Sequence, residues 1–395
     1  MLHCNKSRCA TFFADASPPG AAPGSKLMPT IRPRLRLKAS RKGRSAFASP
    51  SMTRDRLTDL DWAGDNPGNL RARCYVPAGI GGPAPLVVVL HGCTQDAAVY
   101  DHGSGWSTLA DRHGFLLLFP EQQRANNPML CFNWFSGNDT RRGMGEAASI
   151  RSMIEAMAEA QDVDPERIFV TGLSAGGAMA SAMLATYPDV FAAGAIIAGV
   201  AYGCAGDVAE AFDCMGGRAR SDSRELGARV RRASPHKGPW PRIQVWQGSE
   251  DRTVVASNAD AIVRQWAQLH GLGAEPDRVD KVEGYPRSAW LGSGGEPLIE
   301  QYSITGMDHG IPLAGGEEAL GETGPHMLDV GLSSTARIAA FFGIAPETGE
   351  STRREAAPSP APRRHEPAKP GRAPAPANGV QKVIEDALRK AGLMR

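Results

Sequence analysis

The sequence predicts an α/β protein with a mainly parallel sheet and helices on both faces. Short apolar runs recur at residues 86–90, 115–119, 167–171, 194–198, 242–246 and 298–304. Most are continuous rather than alternating, as strands covered on both faces require. Helical periodicity falls between them, near 104–113, 146–160, 175–186, 258–270 and 332–342. Alternation of this kind builds a parallel sheet, in which the chemistry gathers at the carboxyl ends of the strands.

This core is expected over residues 61–345. Residues 1–60 form a leader rich in Arg, Ser and Pro without sustained periodicity, expected to be disordered. Within it Arg32, Arg34, Arg36, Lys38, Arg41, Lys42 and Arg44 stand with no acid among them. A nucleic-acid or lipid-binding arm is one reading of that run, and a solvated leader is the favoured one. The leader lacks the continuous apolar stretch of a secretory signal, and Met28 and Met52 are candidate alternative starts. Residues 346–377 hold eight prolines, a composition that reads as an extended linker. Residues 378–395 form a short amphipathic helix, with Asn378 as cap and Val380, Val383, Ile384, Ala387, Leu388 and Ala391 on one face. A lone helix of that length needs a surface to dock on, and docking on the core is favoured.

The net charge of +2 argues against a nucleic-acid or membrane-surface partner, and no run of 18 apolar residues offers a membrane span. Seven cysteines occur without a C-x-x-C pair, which disfavours a zinc ribbon. No cofactor or metal is expected. Oligomeric state is open.

The loops after the strands carry the functional signal. After 167–171 comes Gly172-Leu173-Ser174-Ala175-Gly176, followed by a helical Ala- and Met-rich segment. A G-x-S-x-G turn between strand and helix pushes the serine hydroxyl above the sheet at a helix N-terminus. Chance alone produces the pentapeptide easily, and its context makes Ser174 the candidate nucleophile. After 86–90 comes His91-Gly92-Cys93-Thr94-Gln95. The backbone N–H groups of Cys93 and Ala175 are the candidate oxyanion donors, and His91 reads as a structural histidine. After 242–246 comes Gln247-Gly248-Ser249-Glu250-Asp251. Asp251 is the candidate acid, with Glu250 as competitor. After 298–304 comes Gly306-Met307-Asp308-His309-Gly310, placing His309 as general base. His326 is its rival, being also downstream of Asp251. The order Ser, Asp, His is that of the α/β-hydrolase fold.

Many further segments accompany these. They include Leu90-His91-Gly92-Cys93-Thr94-Gln95, Cys131-Phe132-Asn133-Trp134-Phe135, Arg142-Gly143-Met144-Gly145-Glu146, Gly306-Met307-Asp308-His309-Gly310 and Leu328-Asp329-Val330-Gly331-Leu332. Over residues 70–343 the chain closely resembles the polyhydroxybutyrate (PHB) depolymerase family of esterases. The resemblance implies an α/β-hydrolase that hydrolyses short-chain hydroxyalkanoate polyesters or oligomers. It also implies export, and the family's relatives include acetylxylan and feruloyl esterases. Gln247 departs from the pattern, standing where the family often has His, and is expected not to touch the chemistry if Asp251 is the acid. Trp134 is the candidate contact for an acyl chain, with a buried core tryptophan as the equal alternative. Cys93 and Cys131 fall in loops near the site, where a disulfide would fix the oxyanion loop. No large lid insertion is evident. The rival readings are a carbohydrate esterase of the acetylxylan or feruloyl type and an inactive hydrolase fold used for binding. The 50 residues beyond the core are too few for a separate polymer-binding domain, which favours soluble oligomers or amorphous polymer.

Overall fold

The computed structural model describes residues 55–219, 222–316 and 319–346, all within the second of the two units into which the chain divides, Thr53–Arg395. The leader, expected to be disordered through residue 60, instead contributes residues 55–60 to the fold, with Thr58–Asp59 paired in the sheet and Leu57 buried in the core. The rest of the leader, the linker from 347 on and the terminal helix lie outside the described residues.

The chain forms β1 (Thr58–Asp59), β2 (Arg71–Tyr75), β3 (Ala84–Leu90), α1 (Ala97–Ser104), α2 (Trp106–His113) and β4 (Leu116–Glu121). It continues through α3 (Gly137–Thr140), α4 (Gly145–Ala160), β5 (Val163–Leu173), α5 (Ala175–Thr186), β6 (Ala193–Ile197), α6 (Val208–Met215) and α7 (Ser223–Ala233). Then come β7 (Arg242–Gly248), α8 (Ser257–His270), β8 (Arg278–Val282), β9 (Tyr285–Leu291), β10 (Pro297–Ile304), β11 (Ile311–Leu313), β12 (Met327–Asp329) and α9 (Ser334–Phe341).

Ten of the strands make one sheet in the order β1-β2-β4-β3-β5-β6-β7-β10-β9-β8. The six predicted runs are its parallel centre, from β4 to β10. β3 shows why they are continuously apolar, since all seven of its residues are buried. Leu86, Val88 and Leu90 join the core under α4, α5 and α8, while Val87 and Val89 join the one under α1, α2 and α9. A strand buried on both faces needs apolar side chains at even and odd positions alike, and each such burial stabilises by about 1.5–3 kcal/mol. On the second face the Phe169 and Phe342 rings stack, with centroids 4.6 Å apart.

The margins of the sheet differ from the expectation. β1 and β2 at one edge and β8 and β9 at the other are antiparallel. β8 and β9 form a hairpin around Glu283 and Gly284, both at positive φ (49° and 88°), the backbone of a type I′ turn. Its strands are half-exposed and mix charges with apolar residues, so they lack the long apolar signature. The predicted helix near 104–113 is α2, and an unpredicted helix, α1, precedes it across a break at Gly105. Its φ is 74°, and a Cβ there would lie 2.2 Å from the Leu320 carbonyl, so only glycine fits the joint. Between β6 and β7 the chain makes an excursion containing α6 and α7, tied by the disulfide Cys204–Cys214. Among the described residues no helix is long and apolar enough to cross a membrane.

Candidate active site

β5 runs into α5 through Ser174, whose φ of 57° and ψ of −117° are strained for a residue with a side chain, costing on the order of 1–3 kcal/mol. The turn is clamped from both sides. Ser174 N donates to Ile197 O at 2.9 Å, and Ser174 O accepts from Ala178 N at 2.8 Å. The glycines are steric necessities. A Cβ on Gly172 would lie 2.5 Å from the Gly176 backbone, and one on Gly176 would lie 2.2 Å from Leu90 O. α5 is buried along its whole length, which explains its Ala, Met and Leu content.

The loop after β3 is held by many partners. Gly92 N donates to Gln95 Oε1 at 2.9 Å, and Thr94 N to Met129 O at 2.7 Å. Cys93 is joined to Cys131 in a disulfide. His91 is fully buried, with Nδ1 2.8 Å from Gly92 O and Nε2 accepting from Gln122 N at 3.1 Å. These partners select the neutral tautomer protonated on Nδ1. Burial pushes the imidazole pKa down, in accord with that form. His91 thus braces the loop.

Cys131 is itself anchored through Gln122, which a buried acid holds in turn. Glu146, at the start of α4, is buried and accepts from Asn133 N at 2.8 Å, Asn133 Nδ2 at 2.8 Å and Gln122 Nε2 at 2.6 Å. Gln122 Nε2 also donates to Cys131 O at 3.0 Å. Burial pushes the Glu146 carboxyl up to about 8, against the pull of the hydrogen bonds from Asn133 and Gln122. An acid placed one residue into a helix is an ordinary surface pattern, so the sequence carried no sign of this burial.

Asp251 and His309 meet across the ends of β7 and β10. His309 Nδ1 is 2.7 Å from Asp251 Oδ2, and the Asp251 side chain is 0% exposed. Asp251 Oδ1 accepts from Thr253 N and Val254 N, each at 2.9 Å. Gln247 Nε2 donates to Asp251 Oδ2 at 3.0 Å and to Val254 O at 2.9 Å. Gln247, expected not to touch the chemistry if Asp251 is the acid, is thus in direct contact with Asp251. Its amide shares with His309 the same carboxylate oxygen. Neither rival takes the place of its competitor, although the His326 ring packs edge-on against His309 at 5.6 Å. Glu250 is exposed, and His326 turns Nδ1 toward His309 O at 2.9 Å. Gly248 lets the two loops close, since a Cβ there would lie 2.3 Å from Met307 O.

Ser174, Ala175, Cys93 and Trp134 line one cavity, together with Thr253 and Val254 from the loop that holds Asp251. Its walls are mainly apolar, with Phe135, Ala178, Val200 and Phe212 among them. Trp134 is half-buried and packs edge-to-face on Phe135 at 5.6 Å. It is thus a cavity wall that also touches the core cluster of Ala178, Val200, Cys214 and Val254. α6, from the excursion after β6, supplies Val208, Ala211, Phe212 and Met215 to the same cavity. The sequence offered no sign of this covering element, because α6 is short and its buried face is only Ala211 and Cys214.

The family model described as "Esterase PHB depolymerase" matches residues 70–278, more than half of the chain. The chain belongs to this esterase family. It is similar to "Poly(3-hydroxyalkanoate) depolymerase C" of Paucimonas lemoignei, at 45% identity over 73% of this chain and 70% of that one. It is also similar to an acetylxylan esterase of Coprinopsis cinerea, at 34% identity over 68% of this chain and 73% of the other. Among solved structures it resembles an acetyl xylan esterase from Aspergillus awamori, with a TM-score of 0.63 and 25% identity over 73% of this chain and 99% of that one. The protein is a carboxylic ester hydrolase with the α/β-hydrolase fold.

Proposed function

We propose that this esterase hydrolyses short-chain hydroxyalkanoate esters, as oligomers or amorphous polymer, with Ser174, His309 and Asp251 as its catalytic residues. His309, oriented by the bond from its Nδ1 to Asp251, takes the Ser174 proton on Nε2 as the hydroxyl oxygen attacks the ester carbonyl. The N–H groups of Cys93 and Ala175 hold the oxyanion. Collapse of the tetrahedral intermediate expels the alcohol, which takes the proton back from His309. Water then attacks the acyl-enzyme by the same route and releases the acid. Asp251 stabilises the transient imidazolium, and its four hydrogen bonds hold its carboxylate in place beside His309.

The observation that carries the substrate reading is the apolar cavity around Ser174, walled by Trp134, Phe135 and Phe212. Such walls suit the methyl and methylene groups of a short hydroxyacyl unit. The 45%-identical depolymerase relative supports the polyester choice, and the acetylxylan esterase relative names the competitor. A panel of PHB film, soluble 3-hydroxybutyrate oligomers, acetylated xylan and methyl ferulate tests it, with Ser174→Ala as control. The oligomers are expected to be turned over fastest. A clear preference for acetylated xylan or methyl ferulate would replace this reading by the carbohydrate-esterase one.

A further inference from the structure

Beside the apolar cavity lies a polar groove of about 770 Å³, and Trp134 lines both. Five arginines line the groove, Arg141, Arg142, Arg218, Arg229 and Arg232, against two carboxylates, Glu210 and Asp213. Four of the guanidinium groups have acidic partners. Arg142 grips Asp189 with two bonds, at 2.6 and 2.8 Å. Arg218 bonds Asp213 at 2.8 Å, and Arg229 and Arg232 bond Glu225 at 3.3 and 2.7 Å. Arg141 is exposed, and among the described residues its guanidinium makes neither a hydrogen bond nor an ion pair, only its backbone carbonyl being engaged, by Met144 N at 3.1 Å. Its charge reaches Tyr202, whose ring lines the same groove. Burial raises the Tyr202 phenol above its ordinary value, so it remains a neutral hydroxyl.

A groove with surplus guanidinium charge takes an anion, and a planar fork suits a carboxylate. A linear hydroxyacid ester carries one charged group, the carboxylate at its acid end. Cleavage of the last ester bonds leaves that carboxylate on the departing alcohol. With the acyl part in the apolar cavity, the alcohol part passes a wall of that cavity, and beyond the Trp134 wall lies the groove. We propose that the groove is a subsite for the terminal carboxylate of a hydroxyacid oligoester, with Arg141 as the guanidinium that receives it. This rests on the oligoester reading above. It makes the enzyme selective for bonds near the acid end of soluble chains.

The test compares the 3-hydroxybutyrate trimer as free acid and as methyl ester, using the full chain, Arg141→Gln and Arg141→Lys. At low salt the wild-type KM for the free acid is expected to be about fivefold below that for the methyl ester. The two values converge at about 0.5 M salt, where the charge is screened. Arg141→Gln raises the free-acid KM to that of the methyl ester, with the change in KM rather than kcat, and Arg141→Lys keeps most of the preference. Equal wild-type KM values for two hydrolysed substrates would overturn the subsite and leave the oligoester reading standing. A preference that survives in Arg141→Gln would overturn the role of Arg141. Hydrolysis of neither trimer, by an enzyme that cleaves p-nitrophenyl butyrate, would overturn the oligoester reading and the subsite with it.

Discussion

The loop after β3 is fastened to its surroundings covalently, by Cys93–Cys131, and the partner loop of that link is held by the buried Glu146. The loops after β7 and β10 are held by hydrogen bonds alone, converging on Asp251 and its four donors. The first arrangement fixes where backbone N–H groups point. The second fixes which imidazole nitrogen carries a proton. Oxyanion donors act only if they are rigid before charge develops, whereas the base must accept and return a proton, for which a polarisable hydrogen-bonded carboxylate serves better than a cross-link.

The two halves can be broken separately. Asp251→Asn keeps the shape but lets the amide donate where a carboxylate accepted, so His309 loses its tautomer. On the proposed mechanism kcat is expected to fall about 10⁴-fold, and Glu250→Gln to change it by less than about twofold. Steady-state hydrolysis of p-nitrophenyl butyrate checks both, and a larger loss in the Glu250 variant would reverse the assignment. On the other side, Cys131→Ser opens a loop of 38 residues. Release of that loop is expected to cost about 3–4 kcal/mol of stability, a figure from chain entropy, read by denaturant unfolding. It is expected to cost a further tenfold or so in kcat as the Cys93 N–H loosens. Full stability and activity in that variant would show that the hydrogen bonds from Gly92 N to Gln95 and from Thr94 N to Met129 suffice to hold the loop.

The sequence revealed the parts whose physics is local. The six central strands were legible because burial on both faces leaves no room for polar residues. The tight turn that carries Ser174 was legible because glycines flank it on both sides, where a side chain would collide with the neighbouring backbone. The meeting of His309 with Asp251 was legible from chain order and from their place after strands. The edge hairpin was not, because half-exposed strands dilute the apolar signal and Glu283-Gly284 is an uncommon I′ pair. Nor were the contacts that join distant segments. Gln247 looked like a harmless departure, because a bond to a residue four positions on depends on how the loop folds back. The role of Glu146 was not legible, because its partners Gln122 and Asn133 lie in another loop. α6 was hidden because a helix of eight residues with two buried positions leaves almost no periodicity to read.

The central claim is that Ser174 is the nucleophile that the strained turn and the Asp251–His309 pair activate. The most direct measurement is reaction with a fluorophosphonate probe followed by peptide mapping of the labelled protein. The account predicts one equivalent of label on Ser174, none on the Ser174→Ala protein, and labelling slowed by orders of magnitude in Asp251→Asn. Label on any other residue, or equal labelling of the folded Ser174→Ala protein, would contradict it.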